Sequence, residues 1–362
     1  MYGGDKGLKS PLFRVMNKRT KKKIQTECCA KSKEDNMIKR NLIKRVMAAG
    51  AIMAVTLSLA GCGIGGNSVK LGAAGVGGGY YAFSNAFAQI ASSEDEDLDF
   101  EVKATAGSTA NIRLLSDGYV DMAIAQADLV DAAYNGTGAT DKKRYRGYSA
   151  VASLYTEACQ IVVRADSGID SLDDLQGKKI SVGEEESGTQ RNAEQILKMT
   201  GLVESLVDTV NLDYVDAANE LKSGQIDAFF CTAGIQTSVI EELSKECDVK
   251  LIGIDDKCRD RLKSVYGFYT DYTIPAGTYE GQTQDVVTLG VRAVLLARDD
   301  MDEKIVEELT GLLFEHSQDI QYSIALTFQI DESEAVKNVT IPFHDGAKAY
   351  YQKKGIEIPA EQ

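Results

Sequence analysis

An internal repeat limits the folds that this chain can adopt. Residues 115–125, Leu-Ser-Asp-Gly-Tyr-Val-Asp-Met-Ala-Ile-Ala, align without gaps on residues 221–231, Leu-Lys-Ser-Gly-Gln-Ile-Asp-Ala-Phe-Phe-Cys. In each copy the glycine is typical of a helix end, the aspartate follows in a tight turn, and the apolar run is typical of a strand at a sheet centre. The repeat predicts two lobes, each with its own βαβαβ core.

A second pair of segments supports this α/β fold class. A predicted strand at 69–73 and a glycine-rich loop at 75–79 lead into an amphipathic helix. The same order recurs at 179–182 and 184–188, again followed by a helix. Strand, loop and helix in this order begin a parallel α/β unit.

Two crossings are predicted to join the lobes. The outgoing one lies at 155–163, and the return one at 272–277, where Pro275 and Gly277 interrupt a strand. We predict further helices over 285–296, over 302–314, around Ala335 and over 345–354. Two crossings leave one cleft between the lobes, where small molecules bind and hinge closure acts.

The predicted organisation has four parts. Residues 1–61 are a basic tail with a signal peptide, 62–68 a tether, 69–157 plus 273–362 lobe one, and 158–272 lobe two. Three hundred residues are too many for one hydrophobic core and suit two lobes.

The N-terminal segment predicts export. From Met37 a basic stretch is followed by an apolar run at 46–60 and by Gly61-Cys62, which resembles the lipobox of bacterial lipoproteins. We expect lipidated Cys62 to anchor the protein outside the cell membrane, the alternative being an uncleaved N-terminal anchor. Residues 1–36 are read as an over-extended start or a basic tail.

The charge and the cysteine content exclude some classes of function. Residues 62–362 hold 26 basic and 50 acidic side chains, so nucleic-acid binding is not expected. No cysteine spacing is a metal pattern, and no metal or cofactor is predicted. Cys247 and Cys258 could form a disulfide, or all four later cysteines could be free thiols.

Nine short motifs occur along the chain, at 77–81, 105–111, 121–126, 154–157, 174–179, 187–189, 224–229, 274–279 and 344–351. Their order and spacing resemble those of TAXI-family solute receptors, which serve tripartite ATP-independent periplasmic (TRAP) transporters. The resemblance covers residues 67–355 and implies a type II periplasmic-binding-protein fold, a ligand trapped between lobes and delivery to a membrane permease.

The turn at Ser187, Gly188 and Thr189 is the predicted anion site. It precedes a helix at the carboxyl edge of a sheet, where backbone N–H groups, hydroxyls and the helix dipole favour a carboxylate. Arg191 could assist. The alternative is that Ser187 or Thr189 only caps the helix. The carboxylates of Glu184–Glu186 oppose an anion unless they face solvent.

The matching turns of lobe one supply further candidates. Gly79 and Ser108 lie at these turns, and Tyr81 is expected to form an aromatic wall while Tyr80 packs on the lobe. Asn111 lies one helical turn further on, within reach of the cleft or on the helix surface.

Three candidates lie at strand ends or at the first crossing. Gln126 follows an apolar strand and is either a ligand contact or a surface amide. Tyr155 and Glu157 lie at the crossing, where Glu157 could bind an ammonium group or pair with an arginine that fixes the hinge. The candidates together suit an amino acid such as glutamate or glutamine, or a dicarboxylate.

Catalysis is not expected. Residues 75–79 are rich in glycine, but a dinucleotide fingerprint would need glycine where Tyr80 stands. His316 and His344 have no nucleophile motif nearby. A monomeric receptor is predicted, and a sensing or adhesion lipoprotein with the same fold, or an exported hydrolase, is the alternative.

Replacing Cys62 with serine tests the anchor. Without the thiol the lipid cannot be attached, so the Cys62→Ser protein should leave the membrane fraction or keep its leader. Fractionation and the apparent mass of the protein measure both. Unchanged membrane association with normal processing would contradict the prediction, and Cys247→Ser, in the exported body, is the control.

Overall fold

A computed structural model describes residues 67–96, 98–138, 142–203, 205–324 and 330–359. The predicted signal peptide, its lipidated Cys62 and the start of the tether lie outside these residues. Within them, no helix combines the length and apolar character needed to span a membrane.

The first half of the described chain alternates strands and helices and ends in a long strand. The elements are β1 (Asn67–Gly72), α1 (Gly79–Glu94), β2 (Leu98–Lys103), α2 (Ser108–Ser116), β3 (Met122–Gln126), α3 (Ala127–Asn135) and β4 (Tyr148–Arg164). Strands β1 and β2, and β1 and β3, pair in parallel.

The next segment repeats this order and returns through a second long strand. It contains β5 (Lys179–Ser181), α4 (Gly188–Thr200), β6 (Asp208–Val210), α5 (Tyr214–Ser223), β7 (Ala228–Ala233), α6 (Ser238–Glu246), β8 (Val249–Ile252), α7 (Asp256–Val265), β9 (Thr270–Ile274) and β10 (Val286–Arg298). The chain continues with α8 (Glu303–Glu315), α9 (Ser317–Ser323) and α10 (Asp345–Lys354).

One sheet connects both lobes. Its order is β2-β1-β3-β10-β4-β7-β5-β6, with β8 against β4 and β9 against β10. The antiparallel pair β4 and β10 belongs to both lobes, because the start of β4 and the end of β10 face the lobe-one core, which includes Leu71, Phe83 and Leu295. The end of β4 and the start of β10 face the lobe-two core, which includes Ile161 and Phe230.

The aspartate of each repeat copy makes the same structural contact. The Asp121 carboxylate accepts a hydrogen bond from the backbone N–H of Lys70 at 2.9 Å, and Asp227 accepts one from Lys179 at 2.9 Å. Each aspartate therefore joins the strand it begins to the neighbouring parallel strand. Gly224, with φ 74°, ends α5 in a left-handed conformation that glycine adopts without a steric cost.

Strand β10 corrects two of the predictions. Residues 286–298 form strand β10 instead of a helix, because an apolar run buried on both sheet faces carries no period that distinguishes the two. This strand, and not the segment around Pro275, is the return crossing. The outgoing crossing at 155–163 and the helices near 302–314 and 345–354 are confirmed.

The region around Ala335 forms turns, not the predicted helix. The carbonyl oxygen of Ala335 accepts the N–H of Ser153 in β4 at 2.7 Å, so it is not available to a following helical turn. Asn338 has φ 58°, which also ends any helical path. The possible Cys247–Cys258 disulfide is absent, and Cys159, Cys231, Cys247 and Cys258 are free thiols.

Substituting Gly290 tests the crossing. A Cβ at Gly290 in β10 would overlap the Cγ2 atom of Thr156 in β4. Gly290→Ala should therefore lower the free energy of unfolding by about 1–3 kcal/mol through overpacking. Gly267→Ala is the control, since no atom lies within 4 Å of its added Cβ. Equal denaturant midpoints for the two variants would contradict this account.

Candidate functional site

A cavity of about 40 Å³ lies between the two lobes. Its walls come from loops and helix starts of both lobes and from the two strands that end there. The lining residues are Ala74, Gly75, Gly78, Gly79, Tyr80, Ala106, Gly107, Ser108, Gln126, Glu157, Glu184, Ser187, Gly188, Thr189, Asp213, Tyr214, Thr232 and Ala233.

Helix starts surround this cavity. Helices α1, α2, α4 and α5 begin at lining residues, and α3 begins directly after Gln126. The first N–H groups of a helix have no partner within it, and they give its N-terminus a partial positive charge. The arrangement follows from the parallel strands, whose carboxyl ends lead into these helices. Backbone groups therefore make the cavity wall favourable for an anionic group.

A buried carboxyl group lies opposite these helix starts. Glu157, near the middle of β4, is 3 % exposed, and its Oε2 accepts a hydrogen bond from the Tyr80 hydroxyl at 2.6 Å. The Ser108 hydroxyl in turn hydrogen-bonds to Tyr80. Burial raises the pKa of the Glu157 carboxyl to about 8, and the nearby Asp128 carboxylate adds to this rise. The Glu157 carboxyl group is therefore mainly protonated at neutral pH.

Gln126 contributes an unused hydrogen-bond acceptor. Its side chain is 2 % exposed and bonds to Glu157, and within the described chain its Oε1 has no partner. The amide lies directly on Gly188 of the other lobe, where an added Cβ would be 2.5 Å from its Cδ. An unsatisfied buried acceptor is costly, so a donor on a bound molecule would be stabilised here.

The Ser187 turn has the capping role that the sequence offered as an alternative. Ser187 Oγ accepts the N–H of Gln190 at 2.9 Å and caps α4. The Thr189 hydroxyl accepts the N–H of Thr232 at 3.2 Å and hydrogen-bonds to the Tyr214 hydroxyl at 2.5 Å. The Ser187 hydroxyl is used here as an acceptor and can still donate its O–H, so it and the backbone N–H groups of the α4 start are the anion donors of this turn.

Charged side chains around the cavity are acidic. Glu157, Glu184 and Asp213 line it, and none of the described lining residues is Arg, Lys or His. Glu185 is exposed and Glu186 pairs with Arg113, so only Glu184 of the acidic run faces the cavity. Burial raises the pKa of Glu184, and the Asp213 charge raises it further. In the described chain, no cluster of three or more His, Cys, Asp or Glu side chains could hold a metal ion.

The structure brings most of the predicted site residues together. Seven of them line the cavity: Gly79, Ser108, Gln126, Glu157, Ser187, Gly188 and Thr189. Among the described residues no arginine pairs with Glu157, and Arg292 on the neighbouring strand donates instead to Ser153 Oγ at 3.0 Å.

Tyr81 and Asn111 do not reach the cavity. Tyr81 packs against the lobe-one core, and its neighbour Tyr80 takes the predicted place in the wall, because the first turn of α1 directs Tyr80 inward. The buried Asn111 side chain donates to Ala73 O at 2.5 Å and to Ile124 O at 2.8 Å. It therefore joins the ends of β1 and β3 and positions the lobe-one turns.

Tyr155 and Arg191 also lie outside the lining. Tyr155 is buried in the lobe-one core beside Phe83, with their ring centroids 6.3 Å apart. Arg191 lines a separate groove and lies 3.8 Å from Glu194 in an ion pair. It is not placed to assist the Ser187 turn, since the next turn of α4 carries it away from the cavity.

Several further lining residues lie at positions that the internal repeat relates to predicted site residues. An offset of 106 carries Gly107, Ser108 and Gln126 onto 213, 214 and 232, as the residue numbers show. These are lining residues of lobe two: Asp213, Tyr214 and Thr232. The identities differ within each pair, so only the register of the repeat carries this signal.

The fold and the family follow from comparison with known proteins. The described chain has the two-lobed periplasmic-binding-protein fold, as predicted. The sequence matches the NMT1-like family over residues 71–355, and the chain belongs to that family.

Solved structures agree at the level of the fold. A protein from Bordetella bronchiseptica RB50 is similar with a TM-score of 0.52 and 16% identity, over 80% of this chain and 98% of that chain. PhnD1 from Prochlorococcus marinus, in complex with methylphosphonate, is similar with a TM-score of 0.51 and 13% identity, over 81% of this chain and 100% of that chain.

The buried Glu157 predicts a pH-dependent stability. Its pKa is about 8 in the folded protein and near 4.5 when exposed. Between these pH values the Glu157 carboxyl group is ionised in the unfolded chain and protonated in the folded chain, so rising pH favours the unfolded state. The stability that the wild type has below pH 4.5 is therefore lost progressively as pH rises to 8. Glu157→Gln should therefore gain stability over the wild type, by as much as about 4 kcal/mol between pH 5 and pH 8.

Thermal or urea denaturation across this pH range measures the difference. The exposed Glu308→Gln substitution is the control and should follow the wild type at every pH. Parallel pH profiles for Glu157→Gln and the wild type would show that the carboxyl group is ionised at neutral pH, against the expectation.

Proposed function

We propose that this protein is an extracytoplasmic solute receptor that captures a small molecule by lobe closure and passes it to a membrane permease. The observation that carries the proposal is the interlobe cavity, whose lining comes from helix starts of both lobes and one buried carboxyl group. A molecule that touches both lobes stabilises the closed form relative to the open one. The absence of a recognisable nucleophile motif supports a receptor over an enzyme.

The lining favours a solute with both an ammonium and a carboxylate group. An ammonium group would donate to Gln126 Oε1 and to Glu157, which ionises when a cation approaches. A carboxylate would accept from backbone N–H groups at the starts of α1 and α4. A plain dicarboxylate would leave Gln126 Oε1 unsatisfied and would face Glu157 and Glu184. Glutamate and glutamine, which carry both groups, are the first candidates.

Delivery and anchoring complete the proposal. The motif resemblance to TAXI receptors supports a TRAP permease as partner, and the lipobox-like Gly61-Cys62 supports attachment to the membrane by lipid. A sensing or adhesion lipoprotein of the same fold would bind the same class of solute without a permease. Solute uptake in cells that lack this protein, compared with complemented cells, separates these two roles.

Calorimetry tests the ligand chemistry. Amino acids and dicarboxylates are titrated into the wild type, Glu157→Gln and Gly188→Ala. Glu157→Gln should weaken amino-acid binding about ten- to a hundredfold, since a hydrogen bond to a charged group contributes about 1.5–3 kcal/mol. Gly188→Ala should weaken every ligand, because the added methyl group overlaps Gln126 in the closed form. Ala165→Gly, remote from the cavity, is the control.

Two results would contradict parts of the proposal. Unchanged amino-acid affinity in Glu157→Gln would remove the ammonium role of that carboxyl group. Unchanged affinity in Gly188→Ala would place the binding site outside the cavity. A first screen by thermal shift is sensitive enough, since a ligand at 100 times its Kd adds about 2.7 kcal/mol of stability.

A further inference from the structure

One residue of lobe two makes several hydrogen bonds to lobe one at the seam beside the cavity. This residue is Glu186, in the loop between β5 and α4 of lobe two. Its carbonyl oxygen accepts the backbone N–H groups of Thr109 at 3.1 Å and of Ala110 at 3.3 Å, both in the first turn of α2 of lobe one. Its carboxylate accepts from Arg113, also on α2, with Nη2 to Oε2 at 2.6 Å and Nε to Oε1 at 3.2 Å.

These contacts replace a missing local cap. Helix N-termini are usually capped by a side chain just before the first turn. The residue in that position of α2 is Gly107, which has no side chain and makes no such bond. The free N–H donors of α2 are therefore satisfied from the opposite lobe. When the lobes separate, both the N–H donors and the Glu186 carbonyl group must turn to water.

The backbone conformation of Glu186 is adapted to this contact. Its φ of 65° is one of three positive values among the described residues other than glycine. A left-handed conformation is sterically unfavourable for a residue that has a Cβ atom. A hydrogen bond from the Glu186 N–H to Gln190 Oε1 at 3.0 Å helps to hold it. This conformation directs the carbonyl group across the seam, where Gly107 lies against Ser187.

We propose that Glu186 is a closure latch: it caps α2 from the opposite lobe when the lobes are closed and thereby sets how tightly the closed receptor retains its ligand. The latch lies beside the cavity and is not among its lining residues. It acts on affinity through the balance of open and closed forms. Its role in affinity rests on the proposed function, whereas its role in closure does not.

Amide hydrogen exchange in the ligand-free, full-length protein tests the latch directly. The N–H groups of Thr109 and Ala110 should exchange slowly in the wild type, because only the closed form protects them. Glu186→Gly removes the carboxylate and keeps the left-handed conformation. Glu186→Val removes the carboxylate and disfavours that conformation. Protection of the two N–H groups should fall about tenfold or more in the valine variant relative to the glycine variant.

The ion pair is tested separately. Arg113→Gln and Glu186→Gln should each raise the Kd for the amino acid identified by calorimetry about 1.5- to 5-fold at low salt, and less at high salt, because both side chains are partly exposed. The double variant Arg113→Glu with Glu186→Arg should restore most of the loss. Glu185→Gln is the matched control, since this exposed neighbour belongs to the same acidic run.

The results distinguish a failure of the latch proposal from a failure of the proposed function. Equal exchange at Thr109 and Ala110 in the glycine and valine variants would overturn the carbonyl cap. Equal Kd values for Arg113→Gln and the wild type, with no rescue in the reversed pair, would overturn the ion-pair contribution. If no solute binds the wild type, the proposed function fails, and the exchange experiment still decides whether Glu186 closes the lobes. Thermal denaturation of each variant confirms that it folds.

Discussion

The antiparallel pairing of β4 with β10 is the interaction on which the rest of the structure depends. Each strand begins in one lobe and ends in the other, so both cores form on one continuous sheet. Glu157 stands opposite Val291 in this pairing. The strand pair therefore holds the buried carboxyl group at the point where the lobes meet. Closure of the lobes can then bring helix starts toward a fixed group.

The electrostatics of the cavity combine two opposite tendencies. Helix starts favour an anionic group, whereas Glu157, Glu184 and Asp213 favour a cationic one. The conflict is reduced because Glu157 is largely protonated, as its raised pKa requires. A zwitterion satisfies both tendencies at once. This is the physical reason for preferring an amino acid over a dicarboxylate.

Local pattern predicted the parts of the fold that repeat. The Gly118 and Gly224 turns, with Asp121 and Asp227 after them, identified two equivalent lobes because the same hydrogen bonds recur in each. The sequence pattern of β10 does not distinguish a strand from a helix, because its apolar residues are buried on both sheet faces and recur with neither the helix nor the strand period. The same repeat, followed in register, would have led to Tyr214 as well.

The sequence by itself determined the two lobes, the position of the outgoing crossing and the turns from which the cavity is built, since these depend on local hydrogen bonding and on the order of strands and helices. Only the tertiary structure decided which side chains face the cavity. Tyr80 faces it and Tyr81 does not, because the rotation of α1 against its sheet is set by core packing. The Glu186 latch likewise depends on groups that are 73 residues or more apart in the chain and meet only when the lobes close.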